Sequence, residues 1–250
     1  MNTFTLKIIA LITMLIDHIG AVFFPQVMIL RFIGRLAFPI YAFLLVQGYQ
    51  HTANTPRYQK YVGRMLLFAA ISEISFDLCF YKTPIYLGYQ NVYFTLLLGL
   101  LALYCYDFLE KKGKDGFYAI LFFCVIAFLI KSDYNVIGII FIFNFYFTEK
   151  WKKENKNPIL QKTLFVLMFV IIILLQIILH SYELTFKAIF TAFTQYTWVY
   201  LGILLSMIPI KKYNGELGPK TKTTQLIFYW FYPAHLSIIY IINYLITAMH

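Results

Sequence analysis

Long apolar runs separated by short polar segments dominate the sequence, and many approach the roughly 20 residues needed to cross a bilayer as a helix. Grouping them predicts nine helices, at roughly 4–24, 28–50, 61–80, 90–109, 117–131, 134–148, 161–180, 187–209 and 225–246. The fifth and sixth are short for spanning helices, with Lys131-Ser132-Asp133 between them. They either cross or form a hairpin that enters and leaves on one side. The segments between runs carry turn chemistry: Asn54-Thr55-Pro56, Gly113 with Gly116, Asn157-Pro158, Asn214-Gly215 and Gly218-Pro219. No internal repeat or long linker interrupts them. The pattern predicts an all-α, polytopic integral membrane helical bundle, one domain over residues 1–250.

Composition agrees. Of the 250 residues, 61% are hydrophobic and 13% charged, against about 25% charged in a typical soluble domain. The net charge of +10 does not form a nucleic-acid face, because the Lys and Arg residues sit in short loops between apolar runs. Sixteen of the 21 basic residues fall on one side: Lys7, then groups around Arg57–Arg64, Lys111–Lys114, Lys150–Lys162 and Lys211–Lys222. That asymmetry predicts a cytoplasmic N-terminus and an external C-terminus. The first run lacks a small-x-small cleavage pattern and is expected to be a retained helix. Cys79, Cys105 and Cys124 lie inside apolar runs without metal-ligand spacing, which argues against a disulfide framework or a metal site.

The candidate chemistry lies in the polar residues that interrupt these runs. Asp17 and His18 stand side by side in the first helix, pointing about 100° apart. A charge in the bilayer is costly unless paired, facing a polar cavity or functional, and His18 can exchange a proton near neutral pH. Arg31 and Arg35 share a face of the second helix, where Gly34 and Pro39 permit close approach or a kink. Glu73 and Asp77 repeat the i, i+4 spacing in the third; they need cationic partners, for which Arg31 and Arg35 are the expected source, or one of them is protonated. Asp17 either orients His18 indirectly or pairs with Arg35. The fourth helix opens with a small-polar stripe of Asn91, Thr95 and Gly99. Asp107, at its far end, reads as a solvated carboxylate. The last helix carries Tyr229, Tyr232, Pro233 and His235. Lys7 lies nearly in line with His18 and about 16 Å away at 1.5 Å per residue, suited to a long cofactor arm with an anionic head in the cytoplasm.

Five segments, LKIIALITMLIDHIG, RFIGRLAFPIYAFLLVQGY, SEISFD, NVYFTLLLG and FYPAHL, together resemble the TraX family of bacterial membrane proteins. The resemblance extends from the first predicted helix to the last. The family's namesake is implicated in N-terminal acetylation of F-type pilin. The family is also distantly similar to transmembrane acyltransferases that acetylate envelope sugars from cytoplasmic acetyl-CoA with an essential first-helix histidine. The resemblance therefore implies His18 as base, with Asp17, Arg35, Glu73 and Asp77 around it. Arg31, Asn91, Thr95, Tyr229, Tyr232 and His235 become substrate-binding candidates, and Lys7 and Arg64 candidates for holding acetyl-CoA.

The expected activity is transfer of an acetyl or other acyl group from acetyl-CoA to an amine or hydroxyl of an envelope glycan, lipid or exported peptide. Its place would be the bacterial inner membrane. The same intramembrane charges also describe a proton-coupled transporter or flippase. A third reading is a non-catalytic assembly factor for an envelope complex.

Overall fold

A computed structural model describes residues 1–154 and 185–249 except Lys220, with positions 157, 159, 163, 165–167, 169–171 and 174 between them. The helix expected over 161–180 lies largely outside the described residues. Ten helices are described: α1 Thr3–Phe23, α2 Met28–Gly34, α3 Ala37–Thr52, α4 Arg57–Tyr81, α5 Val92–Lys111, α6 Phe117–Leu129, α7 Asn135–Lys153, α8 Phe186–Leu205, α9 Met207–Lys211 and α10 Lys222–Ala248. No strand is present among the described residues. Among the described residues, four stretches are long and apolar enough to cross a membrane: Thr3–Phe23, Met28–Thr52, Val92–Lys111 and Lys222–Ala248.

Local chemistry sets the helix ends. Asn2 caps α1, accepting from the Thr5 N–H at 2.9 Å. The 214–217 segment pairs with the chain start, where the Thr3 and Phe4 N–H groups donate to Glu216 and Leu217 carbonyls at 2.8 and 3.2 Å. Those bonds satisfy N–H groups that a helix start leaves without partners. Asn91 caps α5 through the Tyr93 N–H, and Thr221 with Thr224 forms a capping box on α10.

Two expected helices are broken. The run over 28–50 divides into α2 and α3 at the turn Arg35–Leu36. Pro39 has no N–H to give the Arg35 carbonyl four residues back, and its ring crowds that carbonyl. The run over 187–209 divides at Ser206 into α8 and α9, where Pro209 stands in the same relation to Leu205. The pair expected to be short differs in length: α6 has 13 residues and α7 has 19.

The chain forms two compact units. The first comprises Met1–Tyr41, Lys150–Phe231 and Ile241–His250; the second comprises Ala42–Glu149 and Tyr232–Tyr240. In the first, α1 packs on α2 and α2 on α8. In the second, α5 packs on α4 and α6, and Gly99 abuts Ile142, whose Cδ1 lies 2.2 Å from where a Cβ would be. The stripe of Asn91, Thr95 and Gly99 is thus a buried packing surface, as its small residues predict.

Candidate functional site

In the first unit the polar cluster is built on α1 and α2. Asp17 accepts from Arg31 Nη1 at 2.6 Å through Oδ2, and its backbone carbonyl accepts from the same nitrogen at 3.1 Å. Arg35 Nη2 lies 3.8 Å from Asp17 Oδ1, an ion pair outside hydrogen-bonding distance. Arg35 caps the end of α2 one turn beyond Arg31, so one carboxylate serves both. Close approach depends on Gly34, where a Cβ would lie 2.1 Å from Asp17 Oδ1 and 2.2 Å from its Cβ. Any side chain there would push α2 off the acid. His18, the next residue along α1, is half-buried.

The expected pairing of Asp17 with Arg35 is present, and Arg31 makes the tighter contact. Among the described residues, the carboxylate both arginines meet is Asp17. One carboxylate between two arginines one turn apart already offsets much of their charge.

Three other candidates complete this unit. Lys7 is half-buried, its Nζ 5.0 Å from the centre of the Phe228 ring. Tyr229 is half-buried in the first part of α10. From α8, Tyr200 sets its ring 5.7 Å from the Arg35 guanidinium carbon. Neither its type nor its apolar surroundings marked Tyr200 as part of a site.

The second unit holds another polar cluster. Asn91 is fully buried; its side-chain amide donates to Glu73 Oε2 and, at 2.8 Å, to the Ala69 carbonyl, while its backbone N–H donates to Glu73 Oε2 at 3.1 Å. Asp77, 1% exposed, accepts from the Tyr86 N–H at 2.7 Å. Among the described residues neither carboxylate is in an ion pair, and Glu73 Oε1 and Asp77 Oδ1 are buried without a hydrogen-bond partner. Buried Thr95 donates to the Asp133 carbonyl. Tyr232, also buried, packs edge-on to Tyr93 and His235, with ring centres 5.4 and 5.6 Å away. Arg64 is exposed on α4.

Outside the helices, Tyr89 donates to Asp133 Oδ1 at 3.1 Å. The neighbouring Asp133 carboxylate, then burial and that hydrogen bond, hold its phenol well above the ordinary value of 10.0.

Asp107 corrects an expectation. It is half-buried and also accepts from the Tyr49 hydroxyl at 2.5 Å and from the Tyr146 hydroxyl, so α3, α5 and α7 meet on one carboxylate. Its partners lie 58 and 39 positions away, and nothing local announces them.

With this geometry in place, the family model described as TraX protein matches residues 3–243. The chain belongs to the TraX family. A protein of Dichelobacter nodosus named "Probable fimbrial assembly protein FimC, serogroup H1" is 40% identical over 113 residues, 41% of this chain and 45% of that protein. An uncharacterised protein of Rickettsia prowazekii (strain Madrid E) is 33% identical over 96 residues, 36% of each chain. The chain thus aligns with less than half the length of either relative. No solved structure matches. TraX membership and the four membrane-length stretches agree with a membrane protein.

Proposed function

We propose that this TraX-family chain is a membrane-embedded acyltransferase that moves an acetyl group from cytoplasmic acetyl-CoA to an amine or hydroxyl of an envelope or exported acceptor. It sits in the bacterial inner membrane as a multi-pass bundle of about nine helices, N-terminus in the cytoplasm and C-terminus outside. The observation that carries this reading is the Asp17–Arg31–Arg35 cluster beside half-buried His18 in an otherwise apolar helix. Acyl transfer needs a proton-transfer group and fixed positive charge, and adjacent residues of α1 supply the first, His18, and anchor the second, Asp17. The relative named for fimbrial assembly supports an exported acceptor.

An acceptor N–H or O–H gives its proton to the His18 imidazole as its heteroatom attacks the thioester carbonyl carbon. The carbonyl π electrons move to oxygen, and Arg35, held near Asp17, stabilises that developing charge. The C–S bond then breaks, the electron pair leaves on the CoA sulfur, and His18 returns the proton to it. Asp17 fixes the arginines, and through them the direction of the positive field. Lys7, half-buried at the start of the same helix, is suited to a phosphate of the donor. Arg64, exposed on α4, is a second candidate for phosphate binding.

Replacing His18 with Ala in purified, folded protein should abolish acetyl-CoA turnover; turnover equal to that of the unaltered protein overturns the assignment. The competing reading is proton-coupled transport, favoured by half-buried Glu73 and buried Asp77, neither of which is in an ion pair among the described residues. A transporter moves substrate without releasing free CoA, so assaying the thiol separates the two.

A further inference from the structure

We propose that Tyr200, seated by Gly202 on α8, is a positioning residue for Arg35; its kinetic consequence rests on the acyl-transfer reading, its geometric consequence does not. With seven residues and a turn separating it from α3, α2 has too few internal hydrogen bonds to set its own direction. Its neighbours must do so.

Glycines hold it on two flanks. Gly34 lets α2 close on Asp17. From α8, a Cβ on Gly202 would lie 2.1 Å from the Phe32 carbonyl oxygen and 3.1 Å from its carbon. A backbone carbonyl cannot swing aside as a side-chain tip can, so Gly202 sets how near α8 stands to α2. The Arg35 Cβ is 3.3 Å from that same point. The Arg35 stem therefore starts over the bare strip of α8, and its guanidinium ends against the ring of Tyr200, a buried residue. An aromatic face attracts a guanidinium and fixes its position.

The two arginines consequently treat Asp17 differently. Arg31 closes to 2.6 Å, whereas Arg35 stands at 3.8 Å. Tyr200 holds the guanidinium at this wider spacing. A guanidinium so placed turns toward developing negative charge without first breaking a short bond to Asp17.

The test uses the full chain in lipid nanodiscs, with Tyr200→Phe, which keeps the aromatic face, and Tyr200→Leu, which removes it. Thermal unfolding checks that each variant is folded, and CoA release from acetyl-CoA with an envelope extract gives kcat and KM. Tyr200→Leu should lower kcat about tenfold with KM for acetyl-CoA unmoved, and Tyr200→Phe should stay within about twofold of the unaltered protein. Equal rates in all three proteins, or equal losses in both variants, overturn the proposal. If the unaltered protein releases no CoA, the acyl-transfer reading fails by itself. Phenylglyoxal modification of Arg35, mapped by peptide mass, then decides the positioning role. A severalfold change in Tyr200→Leu with none in Tyr200→Phe supports it, and any other pattern overturns it.

Discussion

Asp17 and Glu73 are both carboxylates in apolar helices, yet the first is met by two guanidinium groups and the second by an amide side chain and a backbone N–H. In the Asp17 cluster, opposite charge offsets the cost of burial. In the Glu73 cluster only neutral donors do so, and one carboxylate oxygen has no donor at all among the described residues. Charge compensation makes the first cluster a fixed electrostatic device: removing its acid leaves two cations facing each other. The second is a hydrogen-bond network, in which losing the acid leaves neutral donors unsatisfied, a smaller penalty.

The largest expected effect tests that contrast directly. Asp17→Asn should cost roughly 3 kcal/mol of stability, the low end for breaking a buried ion pair because Arg31 keeps some exposure, and Glu73→Gln about 1 kcal/mol or less. Unfolding in detergent measures both, and equal losses would break the comparison. Next in size, Asn91→Ala removes the α5 cap and one of the two donors to Glu73, and should cost roughly 1–2 kcal/mol. In the same unfolding assay, no loss would mean that water or lipid headgroups replace the amide.

The smallest effect is confined to alkaline pH. Tyr89 has a folded value raised above its unfolded one, so its contribution is complete below about pH 10 and falls as the pH climbs past the unfolded value. The stability advantage over Tyr89→Phe should therefore shrink only above about pH 10. An advantage that instead grows above that pH would show that the Asp133 carboxylate is not what dominates its surroundings.

Much of this was legible in the chain. The apolar runs place most helices to within a few residues, because a helix in an apolar setting needs only length and hydrophobicity to be recognisable. Asp17 was legible as a costly charge in such a run, and the spacing of Arg31 and Arg35 put them on one face. Their partner was not: i, i+4 spacing identifies a face of a helix but not the neighbour it meets. Asp107 failed for the same reason. Near the polar end of a helix a carboxylate reads as solvated, and only the fold brings Tyr49 and Tyr146 to it. Pro39 was visible as a possible kink, but a kink and a full break at Arg35 look alike in sequence.

By itself, then, the sequence determined the class: a helical chain with a few polar groups in apolar runs, each needing a reason to be there. Those properties follow from composition and periodicity, which are local. The tertiary structure decided which acid the arginines serve, that Gly34 and Gly202 fix the distances around α2, and that Tyr200 meets Arg35. These depend on side chains brought together from helices distant in the chain, and apolar helices of similar length do not encode which of their neighbours they will face.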